Sequence, residues 1–262
     1  MRRKIIPILI LLKAGYLSVP AQTERPPLST DRPDQTEAPT LLPEGYFQLE
    51  TGILLESDTP GMSENDSYVD SYSLGTSLFR YGFSDNIEFR LGAGFTIQRI
   101  KEGKTITEKS GLANVLISSK IFLADEDGFI PETALLLNLF LPIGNKSFIS
   151  DNLVPGLVVA SRYTFTSWLG FSSNLGFRLF ENDDHIFRYS FSLGSDIMPK
   201  IGIFVESFGR ISGNSKPAHL VDLGMTYRII ANLQLDTSYG FALSDLAVDQ
   251  FINFGASLRL PR

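Results

Sequence analysis

Charged side chains recur along this sequence at alternate positions, between large apolar residues. Glu88 and Arg90, for example, flank Phe89 in the segment NIEFRLGAGFTIQ (86–98). Because successive side chains of a β-strand point to opposite faces, charges with this spacing share one polar face of a sheet. The residues that we assign to this face are Glu50, Glu88, Arg90, Lys120, Arg162, Arg178, Arg188, Asp196, Glu206, Asp222, Arg228, Asp236 and Arg259.

Two kinds of chemistry suit such a face. Charges that line a pore set its preference for ions and solutes, whereas opposite charges on neighbouring strands form ion pairs that stabilise their pairing. Acidic and basic members occur in similar numbers, so the set does not indicate a preference for either sign of solute. A selectivity lining and a ladder of ion pairs both remain open from the sequence.

A second group of charges lies near the N-terminus, in TDRPDQTE (30–37). Asp31, Arg32, Asp34 and Glu37 belong to residues 22–44, here called the leader, which are rich in Pro, Thr and charge and have no hydrophobic period. The leader is too polar to cross lipid and too short to fold alone. We predict that it enters the polar interior of the following domain as a plug and pairs with charges on the wall. A free tail is the alternative.

Catalytic chemistry has few candidate residues. The chain has no Cys, and its only histidines are His185 and His219. A serine esterase needs a Ser and a polar orienting group beside its His, and the neighbours of His219 along its own strand, Val221 and Leu223, provide neither. We therefore expect no enzyme activity, no catalytic residues, no cofactor and no metal site.

The first residues indicate export. Arg2, Arg3 and Lys4 precede the apolar run IIPILILL (5–12), and VPA (19–21) has the small residues of a cleavage site. This pattern is typical of a secretory signal peptide, which we predict over 1–21. The apolar run falls well short of the roughly 20 residues that a spanning helix needs.

From Gly45 to the C-terminus, apolar and polar residues alternate almost without interruption. About twelve segments of about ten residues show this alternation, which is the length that a tilted strand needs to cross a bilayer. Short connectors alternate with longer, more polar ones, among them 100–110, as in outer-membrane barrels. The sequence therefore predicts an all-β fold over 45–262: an up-and-down antiparallel transmembrane β-barrel of the outer-membrane type.

The composition of the two faces predicts which one meets lipid. One face consists of Gly, Ser, Asn, Thr and charges. The other is large and aromatic, with rings such as Tyr81, Trp168 and Phe187 near strand ends, as in the girdles at lipid headgroups. A soluble barrel would have to enclose all of this aromatic bulk, so we predict that the apolar face points outward. In 68–80 and 112–123 this assignment puts Leu78 and Ala113 on the outward face.

The net charge of the chain indicates which classes of partner to expect. With a net charge of −6 and no basic patch, the chain is a poor candidate for nucleic-acid binding. We expect it to contact outer-membrane lipid and lipopolysaccharide, the barrel-assembly machinery and a small-molecule solute. The expected location is the bacterial outer membrane, with both termini in the periplasm.

The segment STDRPDQTEAPTLLPEGYFQLETG (29–52), followed by LFRYGFSDNIEFRLG (78–92), resembles a bacterial outer-membrane "transporter" family catalogued as the meta-pathway of phenol degradation protein. The combination of TDRPDQTE with P-x-G-Y-F-Q-x-E-T-G carries the resemblance. It implies a single-chain barrel and uptake of small organic molecules. Many such barrels end in an aromatic residue that the assembly machinery recognises, whereas this chain ends in LRLPR.

Taken with the strand pattern, this resemblance favours passive or facilitated passage of small molecules, aromatic ones among them, across the outer membrane. The lumen of a barrel of about twelve strands is intermediate in width between those of the filled eight-stranded barrels and the open sixteen-stranded porins. Its width alone therefore does not ensure conduction. The alternative is a non-conducting barrel with a filled lumen and a structural or adhesive role.

Overall fold

The computed structural model describes residues 27–59, 67–180, 185–213 and 215–260. The predicted signal peptide, 1–21, lies outside the described residues. The strands are β1 (Phe47–Asp58), β2 (Tyr68–Ser84), β3 (Ile87–Glu102), β4 (Thr105–Ala124), β5 (Glu132–Phe140), β6 (Val154–Thr166), β7 (Leu169–Arg178), β8 (Ile186–Met198), β9 (Ile201–Ser212), β10 (Ala218–Ile230), β11 (Leu233–Ala242) and β12 (Gln250–Leu260).

Each strand pairs antiparallel with its neighbours in sequence, and β1 pairs with β12 to close the barrel. The closing register brings Phe47 opposite Leu260 and Gly52 opposite Gly255. Closure leaves no free sheet edge, as a sheet in lipid requires. Among the described residues, no helix is long and apolar enough to span a membrane.

The faces are arranged as the composition predicts. In β3, Phe89 and Leu91 are 47% and 50% exposed on the outer surface, whereas Glu88 and Arg90 are 0% and 5% exposed inside. The prediction of an antiparallel barrel with its apolar face outward is confirmed. The core of this protein is therefore polar, and its apolar surface is external.

Two β-bulges change the alternation, and two residue assignments were wrong for this reason. In β2 the register shifts between Leu74 and Ser77, around Gly75, whose φ is 60°. A bulge adds one residue to a strand and so reverses the faces beyond it. Leu78, assigned to the outside, consequently lines an internal cavity, and Phe79 is exposed instead.

The second irregularity lies in the β3–β4 pair, between Gly92 and Gly94. It turns Ala113 inward, where that residue is 2% exposed, although the alternation had placed it outside. The structure also differs from the prediction of a long connector at 100–110. The strands continue to Glu102 and resume at Thr105, with Gly103 at a φ of 59° in the turn between them.

The two ends of the barrel differ. One end, here called the turn rim, has the connectors that follow β2, β4, β6, β8 and β10, most of them two residues long, such as 85–86 and 231–232. The opposite end, the loop rim, has longer connectors such as 141–153 and 243–249. Phe47 and Leu260 place both the start and the end of the barrel at the turn rim.

Candidate functional site

The described part of the leader, residues 27–44, lies inside the barrel. Hydrogen bonds or ion pairs join it to side chains on β1 to β5, β7 to β9, β11 and β12. It starts at the turn rim, where Arg259 Nη1 donates to the Pro27 carbonyl oxygen at 3.1 Å, and returns there to reach Gly45, whose amide donates to the Gly82 carbonyl oxygen. The leader therefore occupies the lumen as a loop that enters and leaves at one end.

The sequence of the leader explains why the wall must hold it. Its prolines and its lack of period preclude regular structure, and backbone N–H groups away from water need acceptors. Side chains of the wall supply them: Glu206 accepts from the Gln35 amide at 2.7 Å, and Glu88 accepts from the Leu42 amide at 2.8 Å. Acids on the wall thus take the place of a sheet partner.

Asp31 lies at the centre of the densest group of contacts. Its carboxylate accepts from Arg90 Nη2 at 2.7 Å and from Lys120 Nζ at 3.1 Å, and it is 3.3 Å from Arg80 Nη1. Its own amide donates to Glu50 Oε2 at 3.0 Å. Three cations from three strands therefore converge on one leader carboxylate.

The cations of this group are also paired with the wall. Arg80 donates to Glu50 at 2.7 Å and, through Nε, to Glu88 at 2.7 Å. Arg80, Lys120, Glu50 and Glu88 are each at most 1% exposed. A buried charge is stable only when it is paired and hydrogen-bonded, so removal of any member leaves others uncompensated.

Arg32 contacts the adjoining wall, β11 and β12. Its Nη2 donates to Asn253 Oδ1 at 2.7 Å, to Asp236 Oδ1 at 3.2 Å and to the Phe254 carbonyl oxygen at 3.1 Å. The guanidinium lies over the cross-strand pair Gly52 and Gly255, where a Cβ on either residue would overlap it. These glycines make the space that Arg32 occupies.

The deepest part of the leader is held by β7, β8 and β9. Asn174 accepts from the Glu37 amide at 2.6 Å and donates to its carbonyl oxygen at 3.0 Å. Thr36 donates to Glu206 and hydrogen-bonds Ser190 at 2.8 Å, and the Glu37 carboxylate pairs with Arg90. Asn174 therefore fixes the backbone of the leader as a paired strand would.

Asp34 lies at a more acidic part of the lumen. Glu206 and Asp222 face each other directly across β9 and β10, and both interact electrostatically with Asp34. Asp222 is 0% exposed, and neither of its carboxylate oxygens has a hydrogen-bond partner in the part of the chain that the structure describes. Across the described ranges, no group of three or more His, Asp or Glu side chains is arranged to hold a metal ion.

Leader residues line three cavities in the lumen, two of which lie toward opposite rims. The loop-side cavity has a volume of about 280 Å³ and is lined by Asp31, Asp34 and Glu37 of the leader. The turn-side cavity, of about 450 Å³, is lined by Asp34, Arg32 and other leader residues. The leader therefore separates the two spaces.

Every charged residue assigned to the polar face can now be placed. Those in contact with the leader or buried near it are Glu50, Glu88, Arg90, Lys120, Glu206, Asp222, Asp236 and Arg259. Those that line the turn-side cavity are Arg162, Asp196 and Arg228, and those that line the loop-side cavity are Arg178 and Arg188.

Arg80 was missed by the sequence analysis. It lies beyond the bulge at Gly75, so simple alternation from Tyr72 gives the wrong face. The sequence does contain a signal for this: beyond the bulge the large rings, Phe79 and Tyr81, occupy odd positions, which indicates that Arg80 faces inward.

The surroundings of His219 also differ from expectation. On the outer surface, its Nδ1 is 2.8 Å from Tyr189 Oη and its Nε2 is 3.1 Å from Ser207 Oγ. The hydroxyls come from β8 and β9, so the neighbours of His219 along its own strand, which provide neither a Ser nor a polar partner, did not reveal them. The expectation that the chain is not an enzyme remains a prediction.

A family model described as "Putative MetA-pathway of phenol degradation" matches residues 30–260. The chain belongs to this family. The match includes the leader from Thr30 as well as all twelve strands. No curated protein matches the sequence.

Solved structures support the same fold. An outer membrane channel of the COG4313 group from Pseudomonas putida F1 superposes with a TM-score of 0.67 at 11% identity, over 84% of this chain and 97% of that chain. The translocator domain of the autotransporter NalP from Neisseria meningitidis gives a TM-score of 0.54 at 10% identity, over 82% and 88%. At these identities the likeness concerns the fold, which is that of outer-membrane barrels.

Proposed function

We propose that this family member allows small molecules to pass across the outer membrane and that its leader controls the passage. The observation that carries the proposal is the leader itself, a polar loop held in the lumen between two cavities of about 280 and 450 Å³. A segment that is attached through side chains, without backbone pairing, can detach without breaking the barrel. Family membership and the fold of outer-membrane channels support the same function.

The orientation that we propose has the turn rim and both termini on the periplasmic side. Barrels of this type have short turns on the periplasmic side and long loops outside. Under this orientation the leader enters from the periplasm, after removal of the signal peptide. The apolar outer surface contacts lipid and lipopolysaccharide, and the assembly machinery inserts the chain.

The solute that we propose is a small organic molecule, and the family description favours an aromatic one. The lumen supports a size limit, since the larger cavity is about 450 Å³. No residue described above requires an aromatic ring in the solute.

A second function, a non-conducting structural or adhesive barrel, is favoured by one observation. The ion-paired group around Asp31 and Arg80 is almost completely buried, so it also suits a permanently filled lumen. In that case the leader would be a structural core and would not detach.

Liposome swelling and single-channel recording distinguish the two. We expect wild-type protein to admit small sugars and neutral aromatics slowly, and a variant without residues 22–40 to have a higher conductance. A matched variant keeps the length of the leader but replaces all of its charged residues by neutral ones and scrambles their order. It tests whether the contacts of the leader or its volume limit the conductance. Unchanged current after deletion would exclude the leader as a gate, and no permeability in any variant would favour the structural barrel.

A further inference from the structure

The loop-side cavity combines unpaired cations with apolar side chains. We propose that it binds a small organic carboxylate, with Arg178 and Arg188 holding the carboxylate and the apolar wall holding the rest of the molecule. This inference rests on the proposed function, because it names the class of solute that the lumen receives. It concerns residues on β7 and β8 with which the described part of the leader forms no ion pair.

The first evidence is the state of the two arginines. Both are half-buried, point inward and line the cavity. Within the described ranges, neither has an ion pair or a hydrogen bond, whereas Arg80 and Arg90 on the other side of the lumen have several. Partly buried guanidinium groups without an acceptor favour binding of an anion.

A third cation adds to the positive charge. Arg210 lies directly opposite Arg188 across β8 and β9. Like charges in directly opposed positions of a sheet destabilise it. An anion bound between these side chains relieves the repulsion, and this relief contributes to the free energy of binding.

The acids that border the cavity are engaged elsewhere. Asp31 is bound by Arg90 and Lys120, and Glu37 is paired with Arg90 and fixed through its backbone by Asn174. Asp34 borders both cavities and interacts electrostatically with Glu206. Glu37 attracts Arg178 and Arg188 electrostatically, but among the described residues no leader carboxylate forms an ion pair or a hydrogen bond with either arginine, so their N–H groups are available.

The apolar evidence comes from the same cavity. Phe140, Val158, Phe208 and Leu116 project from even, inward positions of their strands, and the bulge in β2 turns Leu78 toward the cavity. The Arg178 guanidinium lies 3.9 Å from the centre of the Phe140 ring, which orients its plane while leaving the N–H groups at its edge free.

The size of the cavity is also suitable. Its volume of about 280 Å³ exceeds the roughly 150 Å³ that admits benzene in an engineered apolar cavity. Its wall combines apolar side chains with placed polar groups, as small-molecule sites do. The arginine fork donates two parallel N–H···O bonds to a carboxylate, which a neutral amide cannot match.

Calorimetric titration of the purified, full-length chain tests the site without requiring transport. The probes are cyclohexanecarboxylate, its neutral analogue cyclohexanecarboxamide, and acetate, which has the charge without the apolar body. We expect the first to bind at least about tenfold more tightly than either of the others, as expected from one lost charge-assisted hydrogen bond or a lost apolar contact. Equal binding of the amide would overturn the proposal.

The variants are Arg178→Gln and Arg188→Gln, each expected to weaken cyclohexanecarboxylate by about tenfold or more. Arg162→Gln is the matched control, because Arg162 also points inward but lines the other cavity. Heat-modified mobility in gel electrophoresis verifies that each variant is folded. An equal loss of affinity in Arg162→Gln would overturn the site.

The outcome is separable from that of the proposed function. Binding that depends on Arg178 and Arg188 in a barrel that passes no solute would support the site and reject passage. Passage of neutral and anionic solutes at equal rates, without carboxylate binding, would reject the site and leave passage intact.

Discussion

Asp31→Asn is the change most informative about how the leader is held. The substitution keeps the size of the side chain and its ability to accept hydrogen bonds, but removes the charge that Arg90 and Lys120 contact at 2.7 and 3.1 Å. Breaking a buried pair by removing one partner costs about 3–5 kcal/mol. Because Glu50 and Glu88 still neutralise part of the cationic group, we expect the lower end, about 3 kcal/mol.

A loss of about 3 kcal/mol increases the detached fraction of the leader roughly a hundredfold, since each 1.4 kcal/mol is a factor of ten. The chain has no Cys, so a single Thr36→Cys reporter measures detachment by its rate of maleimide labelling. Thr36 is 3% exposed in the bound leader. We expect labelling to be about a hundredfold faster when Asp31→Asn is added, provided that reattachment is faster than labelling.

Asp85→Asn is the matched control, because it removes the same charge from an exposed position in the β2–β3 turn. The labelling rate of the reporter is expected to stay the same in that background. If Asp31→Asn also left the rate within about twofold, the ion pairs would contribute under about 0.5 kcal/mol and the reasoning would be refuted.

Three further predictions concern other parts of the wall. Gly255→Ala would displace the Arg32 guanidinium, so we expect faster labelling of the same reporter. Arg80→Gln leaves buried carboxylates unpaired, and we expect a loss of about 3–5 kcal/mol in the free energy of unfolding, measured with urea in lipid vesicles. The pair of Ser207 and His219 should not hydrolyse p-nitrophenyl butyrate; hydrolysis that Ser207→Ala abolishes would contradict the expectation of no enzyme activity.

The first two of these have a control in the same chain. Gly194→Ala adds a methyl group where the nearest neighbouring atom is 3.9 Å away, so the reporter should label at the wild-type rate. Arg99→Gln removes an arginine that pairs with Glu108 at the surface, and the unfolding midpoint should hardly change. Equal effects in variant and control would contradict the corresponding explanation.

The sequence was sufficient to predict the class of fold because alternation is a local property. The alternation within a strand indicates which of its faces meets lipid, as Phe89 and Arg90 do in β3. The segment ALLLNLFLP (134–142), which is apolar on both faces, lacks this indication. The prediction failed where one residue was inserted, at Gly75, since a bulge reverses the faces without altering the composition.

The site depended on information that alternation does not contain. The polarity of the leader indicated that it needs a polar environment, but the partners of Asp31 come from strands far apart in sequence. The same holds for His219, whose hydroxyl partners lie on other strands. It also holds for Arg178, which has no ion pair among the described residues because the leader carboxylate Asp31 pairs with cations of β2, β3 and β4.

The most direct test of the central claim, that a detachable leader closes the lumen, is a reversible cross-link. Thr36 Oγ1 and Ser190 Oγ are 2.8 Å apart, so cysteines at both positions are placed to form a disulfide. In the Asp31→Asn background, we predict low single-channel conductance when the bond is oxidised and a several-fold increase after reduction, with no response in Thr36→Cys alone. Equal conductance before and after reduction would contradict the account.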